Sequence, residues 1–299
     1  MTMTSIALQY HQQPSLFPSI MRALLLPRTG FNKVKQLPNI SAKYFNVQVD
    51  PAHLSRYLAC CHLEGDGYLP IVYPHVLAAR LHMNILTHRA FPIKLLGAVH
   101  KDNHIIAHRK IEVNERFDIE TQITTHRIMA KGLEFDFTTT LTTQNEIVWE
   151  STSTFFIRGR FGTEVHLAPL SNITAAQDLT DTAQWLLKSN MGKRYARITC
   201  DYNPIHISTI LAKLFGFKRD LLHGMCTLAM AVGQLPKLDT SGAIQLDVAF
   251  KGPMYLNNQA TLKSKRQNNN HRFDLYCQGN DRPCICGLYG HVKEETVLH

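Results

Sequence analysis

Four runs between Val99 and Arg158 alternate apolar with polar residues: Val99–Ile111, Phe117–Ile128, Leu133–Leu141 and Ile147–Arg158. A period of two marks strands with one buried face, and Thr, Ile and Phe, which dominate here, favour that state. Asp102-Asn103, Lys131-Gly132 and Gln144-Asn145 break the pattern and predict turns. Upstream, Tyr44–Val49 alternates as a further strand. Asp50-Pro51 then supplies an N-cap acid and a first-turn proline for a helix over AHLSRYLACCHL. After the turn-rich EGDGYLP, Pro74-His75 opens a long amphipathic helix, VLAARLHMNILT.

The second half repeats this plan. Asn203 and Pro204 read as N-cap and first helical position. Ile207, Ile210, Leu211, Leu214 and Phe215 follow at helical spacing up to Gly216, which predicts one helix pinned to a core on that face. His223-Gly224-Met225 opens a second helix, apolar nearly all round, that stops before Pro236. Strands are predicted at Ala243–Phe250, Gln259–Arg266, Arg272–Gln278 and Cys284–Val292, separated by Pro253, the QNNN run and Gly279-Asn280-Asp281. Gly159 to Thr182 has linker composition. The pattern predicts an α+β chain with an internal structural repeat, each unit a long helix with four antiparallel strands.

Acid–base chemistry concentrates between Thr199 and Met225. Asp201 lies in the loop before a helix and His206 in that helix's first turn, so both are held at a rigid edge. Gly224 stands in the first turn of the next helix, where backbone N–H groups lack partners and no side chain obstructs them. Such a donor suits a carbonyl oxygen that gains negative charge. Cap and turn chemistry alone explains Asp201 and Asn203 one at a time; it does not explain the joint pattern.

D-x-N-P-I-H, a Gly-Phe, and then H-G-M opening an apolar helix resemble the signature of the MaoC-like (R)-specific enoyl-CoA hydratases of the hydratase 2 type. The resemblance implies a double hotdog, in which two units each wrap a sheet around a long helix. It also implies hydration of a trans-2-enoyl thioester, or the reverse dehydration. Asp201 and His206 would then be the catalytic dyad, Asn203 its polar support, and Gly224 the N–H donor of an oxyanion hole. Cys200 departs from the pattern, standing where glycine or serine is more usual. The first half lacks D-x-N-P-x-H and carries Pro74, which has no N–H, near the counterpart of Gly224. One active site per chain is therefore expected, with the other half free to house the acyl chain. The organisation expected is a leader over 1–40, a degenerate unit over 41–160, a linker over 161–182 and a catalytic unit over 183–299. Competing readings are the same chemistry on acyl-carrier-protein thioesters, a non-catalytic acyl-thioester-binding subunit and, more weakly, a hotdog thioesterase.

Composition narrows the partners. With 299 residues, 44% hydrophobic and 18% charged, the chain has the material for two packed units. No apolar run reaches membrane-spanning length, and the residues before Asp50 include no acid and no small-residue cleavage site, so an uncleaved leader is expected. Seven cysteines, with Cys60-Cys61 and Cys284-x-Cys286 too close for a disulfide framework, predict a reducing, cytoplasmic setting. Cys277, Cys284, Cys286 and His291 lack CxxC spacing and alternate as strands, so buried thiols are favoured over zinc. His75, His82 and His88 miss the i, i+4 spacing of a helical metal pair. His100, His104 and His108 share one strand parity but lie too far apart for one ion, and surface or half-buried histidines are expected. No metal and no redox cofactor is expected; coenzyme A or an acyl carrier enters as part of the substrate. The net charge of +9 comes without nucleic-acid motifs and suits an anionic carrier as well as plain solubility. Lys213, Lys218, Arg219 and Lys251 are the candidate carrier contacts. A monomeric double hotdog or a homodimer of it is expected.

Overall fold

In the computed structural model, which describes residues 5–16, 21, 27–94, 97–162, 173–239, 241–268 and 270–292, helix α2 (Pro51–Cys61) starts where its sequence predicts. Asp50 Oδ1 accepts the Ala52 N–H at 2.9 Å, and Pro51 occupies the first turn, where its missing N–H has no cost. The short α1 (Phe31–Val34) precedes it, and α3 (Tyr73–Thr87) follows as the long helix of the first half. In α3 His75, Ala78, Leu81, His82 and Ile85 are all buried, so it is a core helix and not the amphipathic one predicted. It packs on β2 (Ile40–Gln48), β4 (Arg116–Met129) and β5 (Gly132–Thr143).

With β1 (Ile6–Tyr10), β3 (Ala98–Ala107) and β6 (Glu146–Arg158), these strands form half of one continuous sheet. The other half contains β7 (Thr180–Leu186), β8 (Ile244–Phe250), β9 (Gln259–Gln267), β10 (Asn270–Cys277) and β11 (Ile285–His291). The strand order is β1-β2-β4-β5-β6-β3-β8-β11-β10-β9-β7, antiparallel except for β1 on β2. The halves join by β3 against β8, with Asp102 opposite Ala249 and Ala107 opposite Ile244. The second half holds α4 (Met191–Thr199), α5 (Pro204–Ile207), α6 (Thr209–Leu214) and α7 (Gly224–Gln234). Buried residues of α3, such as Leu81 and Ile85, and of α7, such as Leu228 and Ala231, belong to one core with Phe135, Leu246 and Phe273. This is the double hotdog architecture. Among the described residues no helix is long and apolar enough to cross a membrane.

Four local expectations change. The segment expected as a leader is built into the sheet at β1, in register from Ile6–Ile40 to Tyr10–Tyr44. The expected linker runs into β7, which pairs with β9 at the sheet edge; residues 163–172 lie outside those described. Asp102-Asn103 is no turn but part of β3, where a bulge between His100 and Asp102 disturbs the pairing with β6. The helix expected from Pro204 to Phe215 breaks at Ser208, which is extended (φ −147°, ψ 121°) and caps α6 by accepting the Leu211 N–H at 3.3 Å. The break turns α6 so that Ala212 is its buried residue, while Ile210 and Leu214 are 75% and 77% exposed. Gly216 ends the segment as predicted, at φ 85°.

Candidate active site

Helix α4 ends at Thr199, and the next residue, Cys200, adopts φ 60°. That left-handed conformation is where glycine costs least, which gives the departure at Cys200 a physical meaning. Asp201 follows, with its N–H donated to Thr199 Oγ1 at 3.2 Å and its Oδ1 accepting the Asn203 N–H at 3.1 Å. Asn203 caps α5 by accepting the Ile205 N–H at 3.4 Å. His206 projects from α5, and its Nδ1–H donates to the Leu221 carbonyl at 2.9 Å. This bond fixes the tautomer, so Nε2 carries the lone pair.

A third side chain joins the pair, and the sequence reading treated it only as a helix opening. His223 stacks on His206 with ring centroids 3.8 Å apart, and its Nε2–H donates to the Asp201 backbone carbonyl at 3.0 Å. Its position directly before Gly224 was the available signal. Polar atoms of Asp201, His206 and His223 lie within 4.8 Å of one another. Two of the four imidazole nitrogens are committed to backbone carbonyls.

Burial lowers the His206 pKa against the opposing pull of Asp201, and burial with the neighbouring His206 takes His223 down to about 3. Both rings are neutral at pH 7. Burial raises Asp201, but His223, His206 and the Asn203 N–H outweigh it and bring its pKa below the usual value. The carboxylate stays reachable by water, since 46% of its side-chain surface is exposed.

Gly224 is the first residue of α7, and among the described residues no acceptor takes its N–H. A β-carbon at Gly224 would lie 2.8 Å from Phe250 Cε1, so the position is tight as well as unpartnered. Gly192 in α4 backs the dyad from the other side, because a β-carbon there would strike the His206 carbonyl oxygen. Gly192→Ala is expected to lower the melting temperature by several degrees and to cut turnover with it, by displacing α5; differential scanning calorimetry and steady-state rates read the two together.

The candidate carrier contacts do not converge on one place. Lys213, Lys218 and Lys251 are exposed, and Arg219 is tied to Asp220, with Nε 3.3 Å from Oδ1. Lys213, Lys218 and Arg219 share the α6 segment that leads from the dyad to α7, whereas Lys251 follows β8.

Residues 172–280 match the family model described as MaoC like domain. The chain is 30% identical over 250 residues to 3-hydroxyacyl-thioester dehydratase X of Mycobacterium tuberculosis, covering 82% of this chain and 86% of that protein. The chain belongs to the MaoC-like family. As a MaoC-like protein it is a hydratase or dehydratase. It is also 35% identical over 81 residues to peroxisomal enoyl-CoA hydratase 2 of Arabidopsis thaliana, spanning 27% of this chain and 24% of that enzyme. The crystal structure of HtdX from Mycobacterium tuberculosis superposes with a TM-score of 0.72 at 25% identity, over 84% of this chain and all of that one.

Of the first-half histidines of this MaoC-like chain, all expected at surface or half-buried positions, His88, His100 and His104 are half-buried and His108 is exposed, whereas His75 and His82 are buried. The β3 bulge puts His100 and Asn103 on one side, although their spacing is odd, and sends His104 outward to Asp247 and His108 to Glu150. His75 and His82 are buried, with His100 against them. Burial takes His75 down to about 4 and holds His82 and His100 well below the ordinary value. An unfolded chain protonates histidine below pH ~6.5, while these sites refuse the proton in the folded state, so stability is expected to fall as pH drops from 6.5 towards 4. Asp102, raised by burial to about 6, and His104, raised by its bond to Asp247, work the other way but are two groups against six lowered histidines, His75, His82, His100, His206, His223 and His271. Urea midpoints measured from pH 7 to pH 4 should decline; a flat profile would mean that the histidines are not buried and neutral.

Proposed function

We propose that this enzyme adds water to trans-2-enoyl-CoA to give the (3R)-hydroxyacyl thioester, or removes it in reverse, with Asp201 and His206 as the acid–base pair. The observation that carries the reading is His206, its Nδ1–H tied to the Leu221 carbonyl and a ring nitrogen within 4.8 Å of an Asp201 carboxylate oxygen, next to a helix that begins with the N–H of Gly224, unpartnered among the described residues. Two acceptors side by side hold both hydrogens of one water and aim its oxygen lone pair at C3. As the C3–O bond forms, the double-bond electrons move toward the thioester and negative charge builds on its oxygen. The Gly224 N–H at the positive end of α7 stabilises that oxygen. The proton lost by water rests on the Asp201–His206 pair, which titrates as a unit, and the pair returns a proton to C2. His223 positions both partners by its bond to the Asp201 carbonyl and its stack on His206. No metal or redox cofactor takes part in this scheme.

Mixing the protein with a medium-chain trans-2-enoyl-CoA should bleach the enoyl-thioester absorbance and yield the 3R product on chiral analysis. A persistent band with both CoA and carrier thioesters would favour a non-catalytic binding subunit. A second reading keeps the chemistry and changes the carrier. Exposed Ile210 and Leu214 beside exposed Lys213 and Lys218 form an apolar and basic surface next to the dyad, which suits an acidic acyl carrier protein. Competition between enoyl-CoA and the matching carrier thioester decides between them.

A further inference from the structure

A polar lane crosses the inner face of the first half, in a core otherwise built of Phe135, Phe137, Leu141, Trp149 and Ile157. Register places its members side by side: Asn103 opposite Ser153 on β3 and β6, Ser151 opposite Thr139 on β6 and β5, and Thr139 opposite Thr121 on β5 and β4. Four strands at a spacing of ~4.8 Å make the lane about 14 Å long. All five side chains are at least 98% buried. From α3, His82 Nε2 reaches Thr139 Oγ1 at 2.9 Å, and His75 stacks on His100 with centroids 5.4 Å apart.

The lane is not internally satisfied. His75 Nδ1, Asn103 Oδ1 and Ser151 Oγ are all buried without a hydrogen-bond partner. A buried polar atom left unpaired is destabilising, and apolar residues of similar shape would avoid that cost, so packing alone does not account for the lane. Its near end meets the proposed active site. Asn103 Nδ2 lies 3.9 Å from Met225 Sδ and 3.3 Å from His100 Nε2, and His100 packs on Phe250, the ring that abuts Gly224.

We infer that the lane is a subsite for acyl chains that carry a neutral oxygen function, a hydroxyl or a carbonyl, beyond the reacting carbons. The inference rests on the proposed acyl-thioester reading of the dyad and names the substrate class that reading leaves open. Neutral imidazoles, an amide and hydroxyls supply both donors and acceptors at short range, which a hydroxyl or ketone matches. They supply no cation, so a carboxylate placed there would lose its hydration without a counter-charge. A plain hydrocarbon chain would displace any water from the lane and leave its polar atoms unpaired.

Isothermal titration with saturated acyl-CoAs, which cannot react, tests the lane apart from the chemistry. The set holds one plain medium-chain compound and equal-length analogues with a single hydroxyl at successive positions along the distal chain. At least one analogue should bind about tenfold more tightly than the plain chain, as a polar site discriminates against a partner that leaves it unpaired. Asn103→Leu should erase that gain while keeping affinity for the plain chain, and Ser151→Ala, a smaller change, should reduce it. Equal or weaker binding of every hydroxylated analogue to the wild-type protein would overturn the inference and make the lane a solvated structural feature. The medium-chain enoyl thioesters of CoA and of the carrier report separately on hydration: turnover with no hydroxyl preference sinks the lane alone, and a hydroxyl preference with no turnover of either thioester sinks the dyad reading alone.

Discussion

Asp201→Asn should leave the thermal midpoint within a degree or two of wild type and reduce kcat by about 10³-fold or more, within the range that acid–base groups supply in other enzymes. Asn retains an oxygen to accept the Asn203 N–H, and His223 bonds the Asp201 backbone, so the loop keeps its shape. What is lost is the charged acceptor for water and the proton store. The His206 Nδ1–H bond to Leu221 survives in this variant, which separates it from a general collapse of the site. A variant that folds and retains more than about a tenth of wild-type turnover would remove Asp201 from the chemistry.

Gly224→Pro is the second large effect expected. Proline is well tolerated at the first position of a helix, where its fixed φ suits the backbone. It removes the one N–H to which the proposal assigns the thioester oxygen, and loss of a single such donor costs on the order of 10²–10³ in kcat. Because any β-carbon at this position crowds Phe250, Gly224→Ala is the control. It adds the crowding and keeps the N–H. Alanine should therefore retain most of the activity that proline loses; equal losses would assign the effect to packing against Phe250.

Much of the fold was legible because local chemistry and tertiary structure agree. Asp50 caps α2 as its side chain predicts, the Gln144-Asn145 turn is tight with both residues at positive φ, and the eight main strands lie within a few residues of the alternating runs. The failures are places where one backbone residue resets the pattern. Ser208 has a hydroxyl able to cap a new helix, and that break exposes the apolar face of Ile210 and Leu214 that an unbroken helix would have buried. One extra residue between His100 and Asp102 inverts strand parity, which brings His100 inward and sends His104 out. Periodicity carries no sign of either event. Parallel pairing of β1 with β2 is likewise invisible in a short N-terminal run.

At the site, spacing in the loop brought Asp201, Asn203 and His206 together before any coordinates, because a cap, a proline and a first-turn histidine allow few arrangements. His223 was missed because its partners are a backbone carbonyl 22 residues away and a ring face, and neither has a residue type to recognise. His75 and His82, expected at surface or half-buried positions, depart from that for a related reason: their burial depends on α3 being covered on nearly all sides.

The most direct measurement is incubation of the wild-type protein with a trans-2-enoyl-CoA in heavy-oxygen water, followed by chiral separation and mass analysis of the products. The expected result is loss of the enoyl band matched by 3R-hydroxyacyl-CoA that carries one heavy oxygen at C3, with the thioester intact. Free coenzyme A with heavy oxygen in a released carboxylate would reveal a thioesterase built on the same fold. A 3S product would contradict the placement of water between Asp201 and His206.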